Sequence, residues 1–451
     1  MKHFITKTIR AGVLMMGMVL CAPAHAQTYS LDECIRVALE NNQNLKNSKL
    51  NIQAAAYNVK EVKSALLPTI NVTGQTVYYQ NIPSQYAPAS AFGGSEGEYQ
   101  KLTLGVAQTT SANIQMTQNL YNHAAITGLK AARVYQEASV LKADLTREDL
   151  VYSVMATYYS IQVLSENLGR IWENILNLEK TTELNKALMD NDLVSANTHS
   201  RMQINLENLR NQYENQKLMQ EQNITLLKLL MNVDIQSGIT VEPFEYSTTL
   251  ATAEAGDIGQ RTDIKLQHVN IRLAQFDKKV ISAGYYPVLT NTFSYGYTSY
   301  YDSFAPFKQI NNDWIKSSYM ALTLRIPVFD GFQKKNQLHQ KELAIQQNLN
   351  SLEAMKRNAD KEVEDALQNY FINRNLLTNT KRSLDLAEKL FASSRSEYES
   401  GITSVTELLN AQNDLSNART NYSTALLNVK LAELALKKAN GKLLTQSESK
   451  I

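Results

Sequence analysis

Cysteine is nearly absent: the 451 residues hold two, Cys21 and Cys34. Lys2, Lys7 and Arg10 precede an apolar run from Ala11 to Cys21, and Ala24-His25-Ala26 follows. This is the basic, apolar and A-x-A pattern of a cleaved export leader. Cleavage after Ala26 removes 26 of the 451 residues and leaves an expected mature chain of 425, starting at Gln27. Leu20 stands where a lipobox needs a small residue, so lipid on Cys21 is not expected. Cys34 is then alone, which excludes an internal disulfide despite an exported location. Charge of one sign is lacking too. Cleavage removes three of the 45 basic residues and none of the 43 acidic ones, for a mature net charge of −1. With no long basic run, nucleic acid is excluded as an expected partner. After the leader, no stretch approaches the roughly 18–20 apolar residues of a membrane helix. If the mature chain spans a membrane, it must do so with β-strands.

Catalytic patterns are missing as well. His123, His199, His268 and His339 lie roughly seventy residues apart, none with a second metal-type ligand at helical spacing. There is no CxxC, no G-x-S-x-G and no Walker pattern. Gly93, Gly94 and Gly97 lack the strand-to-helix context of a phosphate cradle and read as a plain surface loop. No metal, no cofactor and no catalysis are expected.

Proline is scarce and unevenly placed. All eight lie at 23, 68, 83, 88, 243, 287, 306 and 327, so 89–242 and 328–451 are free of it, as continuous helix requires. What is present is one unit written twice. Residues 44–78 match 263–297 at an offset of 219, with Pro68 on Pro287, Asn51 on Asn270 and Ala55 on Ala274. Residues 119–124 (NLYNHA) match 327–332 (PVFDGF) at 208, and 189–213 match 398–422 at 209. Repeat one therefore carries some ten extra residues between its two strand candidates. Each repeat reads helix, strand, loop, strand, very long helix, turn, long helix. The expected layout is a leader at 1–26, a first repeat at 27–232 with its hairpin tip near 191–195, and a linker at 233–260. A second repeat at 261–440 with its tip near 400–404 and a tail at 441–451 complete it.

The strands alternate with period two. Met320, Leu322, Leu324, Ile326 and Val328 share a parity, as do Leu289, Phe293, Tyr295, Tyr297 and Tyr301. In repeat one Ile70 and Val72 begin a set, with Ile114, Met116 and Leu120 as its partner and Gln115, Thr117 and Asn119 opposite. Twelve aromatics fall within 285–329, several-fold above the 8% chain average, as in outer-membrane girdles. A soluble sheet with a Tyr-rich face is the competing reading. The helices keep a seven-residue seam: Val363, Tyr370, Leu377, Leu384, Phe391 and Tyr398, then Leu408, Leu415, Tyr422, Val429 and Leu436. Ala411, Ala418, Ala425 and Ala432 run three positions later. Such seams imply helices wound side by side. The arm from Phe332 to Ser400, free of Gly and Pro, predicts a helix on the order of 100 Å long.

That arm stops once, at Gly401, which suits the left-handed residue after a helix end. Ser404-x-x-Glu407 predicts a capping box that starts the next helix. Asn191-Asp192-Leu193 is the matching break in repeat one, with Asp192 in place of the glycine, less comfortable left-handed but a good helix-start residue. Four strands cannot close a barrel alone, and open edges cannot sit in lipid, so closure needs several chains.

The mature chain resembles the TolC-type outer-membrane efflux and secretion channels. The likeness rests on YSLDECIRVALENNQNLK (29–46), ALLPTI (65–70), RTDIK (261–265), RIPVFDGF (325–332) and ESGITSVTELLNAQNDL (399–415), in that order. It implies a mainly α fold with a small β part: a homotrimer with a twelve-stranded barrel in the outer membrane, continuing into a periplasmic α-helical coiled-coil barrel. Pro68, Pro287 and Pro327 would mark helix-to-barrel junctions. The hairpin tips, Asn191, Asp192, Leu193, Ser400, Gly401 and Ile402, would contact a periplasmic adaptor linked to an inner-membrane pump of RND or ABC type. The family narrows its periplasmic end with acidic residues, which maps a pore constriction to Glu407 and Asn410, the second an amide here. Thr403 stands at the usual basic position and Asn197-Thr198-His199 carries no carboxylate, so the family's tip-to-tip salt bridge is not expected. Two other classes compete: a periplasmic coiled-coil adaptor or scaffold without a barrel, and an envelope enzyme or binding protein of helical repeats. The alternating aromatic strands argue against the first, and the absent polar cluster against the second.

Overall fold

The structure, a computed structural model, describes residues 27–244, 257–304 and 314–444. The expected leader lies outside the described residues, as do 245–256 of the linker, 305–313 of the second strand loop and 445–451 of the tail.

In chain order the elements are β1 (Gln27–Tyr29), α1 (Leu31–Asn41), α2 (Gln43–Ser64), β2 (Thr69–Tyr78), β3 (Gln85–Pro88), β4 (Tyr99–Leu102), β5 (Gln108–Asn122), α3 (His123–Asp190), α4 (Ala196–Met231), β6 (Ile239–Val241), α5 (Thr262–Ala283), β7 (Val288–Tyr301), β8 (Ile315–Arg325), α6 (Gln333–Glu399) and α7 (Val405–Ala439). The duplication is visible in this order: α2, β2, β5, α3 and α4 recur as α5, β7, β8, α6 and α7. Contacts group the chain into two compact units. One takes in Leu141–Lys265, Glu353 onward and the residues up to Leu50; the other takes in Asn51–Val140 and Leu266–Leu352.

The first unit is helical. Its seams follow the seven-residue spacing. Val363, Ala366 and Tyr370 of α6 pack with Val429, Ala432 and Leu436 of α7, and further along Leu384 and Ala387 meet Leu415 and Ala418. Large residues thus oppose alanines along an antiparallel pair, which lets the two backbones approach closely. A third cluster joins Ile171, Ile175 and Leu178 of α3 to Met202 and Leu206 of α4 and Val405 and Leu409 of α7. The largest core gathers Cys34, Ile35 and Ala38 of α1 around Val154, Tyr158, Ile161, Leu227 and Met231. Beside it, β1 and β6 form a short parallel pair that alternation had not marked, both strands having three residues. The Tyr158 hydroxyl clamps the pair: it donates to Tyr29 O at 3.1 Å and accepts from Glu242 N at 3.3 Å.

The second unit holds a four-stranded antiparallel sheet in the order β2-β5-β7-β8. Three details differ from the sequence reading. The extra residues of repeat one are not a plain loop: β3 and β4 pair as a small antiparallel hairpin, with Gly93 and Gly97 left-handed between them. β8 ends at Arg325, so Ile326 and Val328 lie past the strand, because Pro327 has no N–H for a ladder. The two strand-to-helix joints also diverge. β5 runs straight into α3, capped where Asn122 Oδ1 accepts from Ala125 N at 3.0 Å. β8 reaches α6 only after residues 326–332, where Gly331 and Phe332 both have φ of +66°.

Candidate pore-lining sheet and hairpin tips

Register sorts the strand residues onto two faces. Ile70, Met116, Phe293 and Met320 stand side by side across all four strands, and Val72, Ile114 and Tyr295 form a parallel row. Ile70, Val72, Met320, Leu322 and Leu324 are all more than half exposed, so the apolar face is open. The opposite face carries Thr69, Thr117 and Thr292 in one row and Asn71, Gln115, Ser294 and Tyr319 in the next. Asn113 lies over Gly296 on this face. A Cβ on Gly296 would meet Asn113 Oδ1 at 1.7 Å, so the close approach needs glycine there.

Leu120 does not join Ile114 and Met116. The register shifts between Asn119 and Tyr121, which makes Leu120 the extra residue of a β-bulge and turns Tyr121 towards Leu289 and Leu324. Strict alternation cannot see an inserted residue. Aromatic contacts mark both ends of the sheet. Tyr121, His123 and Tyr286 form one chain of rings, and Tyr78 and Phe304 meet edge-on at the other end with centroids 5.0 Å apart. Pro68 lies one residue before β2, Pro287 one before β7, and Pro327 two after β8. Each stands between a helix and a strand.

Both hairpin tips close in the same way. Gly401, with φ of +71°, donates to Tyr398 O at 3.0 Å, and Ile402 donates to Glu397 O at 2.8 Å. Asp192, with φ of +57°, donates to Met189 O at 3.0 Å, and Leu193 donates to Leu188 O at 2.9 Å. Both are Schellman ends, which satisfy the last carbonyls of a helix with two backbone bonds. Asn191 and Ser400 lie just before the left-handed residues, each with its side chain donating to a carbonyl four residues back. Ser195 Oγ then accepts from Thr198 N, and Ser404 Oγ from Glu407 N, each at 3.3 Å. Asp192 therefore serves as the left-handed residue and Ser195 starts the helix. Leu193 and Ile402 are 70% and 78% exposed at the two apices.

The capping box at Ser404 is only half made. At Ser30 both halves exist: Glu33 N donates to Ser30 Oγ and Ser30 N donates to Glu33 Oε2, each at 3.2 Å. At Ser404 the backbone half is present, and the Glu407 carboxylate does not reach back. Glu407 and Asn410 are both exposed, one turn apart on the face of α7 opposite the buried Val405, Leu409 and Gln412. The Glu407 carboxylate is thus free of the reciprocal capping bond.

Buried polar ties behind the tips had no mark in the apolar spacing. Asn185, fully buried, donates from Nδ2 to the Tyr398 hydroxyl at 2.9 Å. Arg419 donates to Asn174 Oδ1 at 2.8 Å and lies 3.8 Å from Glu388, while burial lowers its proton affinity. Asn167 and Asn174 are buried seven residues apart in α3. That spacing of amides on a seam was the available signal, since a polar residue there fixes helix register.

The model of a family described as outer membrane efflux protein matches residues 34–233 and 258–442. No curated protein matches the chain. Among solved structures, the CmeC outer membrane channel of Campylobacter jejuni is 18% identical with a TM-score of 0.74, covering 91% of this chain and 85% of its own. The open-state MtrE outer membrane channel of Neisseria gonorrhoeae is 19% identical with a TM-score of 0.73, covering 92% and 89%. The outer membrane protein VceC of Vibrio cholerae is 15% identical with a TM-score of 0.71, covering 91% and 96%. At such identities the likeness speaks for the fold, while the family match spans both repeats, and the chain belongs to the outer membrane efflux protein family.

Proposed function

We propose that this chain is one third of a passive outer-membrane conduit, a homotrimer joined through a periplasmic adaptor to an inner-membrane pump of RND or ABC type. One observation carries the reading: the sheet β2-β5-β7-β8 has two open edges and an exposed apolar face. β2 contains no charged residue, so the edge lacks the usual guard against pairing. β2 runs antiparallel to β8, so head-to-tail addition of copies keeps every pair antiparallel. Two copies give eight strands, an interior that side chains fill; three give twelve, the smallest closed multiple of four with room for water. The apolar face then meets lipid and the polar face lines the passage.

The adaptor would meet the tips, where Leu193 and Ile402 project, and the constriction would be set by Glu407 and Asn410. The family match supports the outer-membrane location. Light scattering in detergent, corrected for the micelle, tests the assembly, with conductance in planar bilayers beside it. A particle of three chains that conducts is expected. A stable single chain, or a trimer that never conducts, overturns the reading.

A further inference from the structure

The four strands of the sheet contain two charged side chains, both basic and both on β8: Lys316 and Arg325. Register separates them. Lys316 pairs with Tyr297 and shares the parity of Met320, Leu322 and Leu324. Its stem lies with the apolar face, where a lysine reaches towards headgroups and water. Arg325 has the other parity, that of Thr323 and Ser317. It pairs with Val288, which in turn pairs with Asn122. Every other side chain that the strands place on this polar face is neutral, mostly Thr, Ser, Asn and Gln.

Arg325 is exposed, and its guanidinium has no hydrogen bond or ion pair among the described residues. The sheet offers it no carboxylate. The next acid along the chain, Asp330, is already held by Lys334, whose backbone N and Nζ lie 3.2 and 2.9 Å from Asp330 Oδ2. An unpaired guanidinium presents a planar fork of donors that fits carboxylate, phosphate or sulfonate.

We propose that Arg325 is an anion-recognition site that sets the ionic preference of the strand-lined part of the conduit. The proposal rests on the trimeric reading, which brings three copies to one level of the passage. A strand spacing of about 4.8 Å and a tilt near 40° place their Cα atoms ~20 Å apart in a twelve-stranded barrel. The Debye length is about 8 Å at physiological salt and about 30 Å at 0.01 M. The three guanidiniums therefore act together in dilute salt and singly in concentrated salt. With no acid on that face to cancel them, solutes bearing an anionic group are favoured at that level, whatever charge governs other levels.

Planar-bilayer recordings test this. Arg325→Gln should raise the potassium-over-chloride permeability ratio roughly two-fold in dilute salt and by less at physiological salt. Arg325→Lys keeps the charge and should keep the wild-type ratio. Inorganic tripolyphosphate should reduce wild-type current in dilute salt, and Arg325→Gln should lose that block. An unchanged ratio and block in a conducting Arg325→Gln trimer overturns the site, as does wild-type current that tripolyphosphate leaves untouched. Failure of the conduit reading looks different, because wild-type protein would then form no channels.

Discussion

Glu407 donates its backbone N–H to Ser404 Oγ, while its carboxylate is left in solvent. The two residues can therefore be separated by mutation. Ser404→Ala should cost about 1 kcal/mol of stability through the lost cap. Glu407→Gln and Glu407→Ala should both stay within about 0.5 kcal/mol, as exposed substitutions do. In a trimer the charge is present three times, so both Glu407 variants should weaken cation preference and divalent block in bilayers. Thermal melts beside bilayer recordings check the pair, and unchanged selectivity and block in Glu407→Gln with a large stability loss in Glu407→Ala would leave the residue a helix cap alone. Cys34 offers a second residue-scale test. Burial pushes its thiol up to about 12, with Glu33 and Glu242 adding to the effect. The thiol is buried and overwhelmingly protonated at neutral pH, so a maleimide there should leave native Cys34 unmodified and label it after denaturation. At this scale the sequence was partly readable. Gly401 announced its own backbone, because only glycine takes a left-handed turn without cost. Asn185 and Arg419 announced nothing, since a polar residue on a seam is defined by what it meets across three helices.

The two helical hairpins are a matched pair of elements that differ at the left-handed residue, Asp192 against Gly401. Nothing lies within 4 Å of a Cβ built on Gly401, so any cost there is purely backbone strain. Gly401→Ala should destabilise its hairpin by about 1 kcal/mol. Asp192→Gly should stabilise the other by roughly 0.5–1 kcal/mol, because an L-residue leaves a left-handed position. Shifts of opposite sign in the melting temperature are expected, and shifts of one sign would place the strain elsewhere. Element type was easy to read in long periodic stretches: α6 covers Gln333–Glu399 within an arm read as 332–400. Short or irregular elements were not. The β1–β6 pair is too short to show a period, and the bulge at Leu120 breaks the period that would have revealed it. Polar faces followed from alternation, which already sets Arg325 on the parity opposite Met320, Leu322 and Leu324; its strand partners add that no acid shares that side.

For the whole molecule, topology is the sharpest test. Ser90 lies in the excursion between β3 and β4, and Asn197 lies in the first turn of α4; both are exposed. An impermeant maleimide on intact cells should label Ser90→Cys and spare Asn197→Cys. Asn197 is preferred to Ser195, whose hydroxyl caps the helix. The motive is length, since the longer loops of outer-membrane barrels face outward. The reverse labelling would invert the orientation.

The identical closure of the two tips bears on stoichiometry. Each chain shows two apices of the same backbone geometry, one bearing Leu193 and the other Ile402. In the proposed trimer a threefold axis would turn two kinds of tip into a crown that alternates around a ring, threefold in sequence but near sixfold in shape. A partner that grips one tip at a time would meet six docking points there, in two chemically distinct sets. It can occupy all of them as a six-membered ring, or choose between the sets by reading aspartate against glycine. The mass of the assembled complex would tell a ring blind to that difference from one that counts only to three.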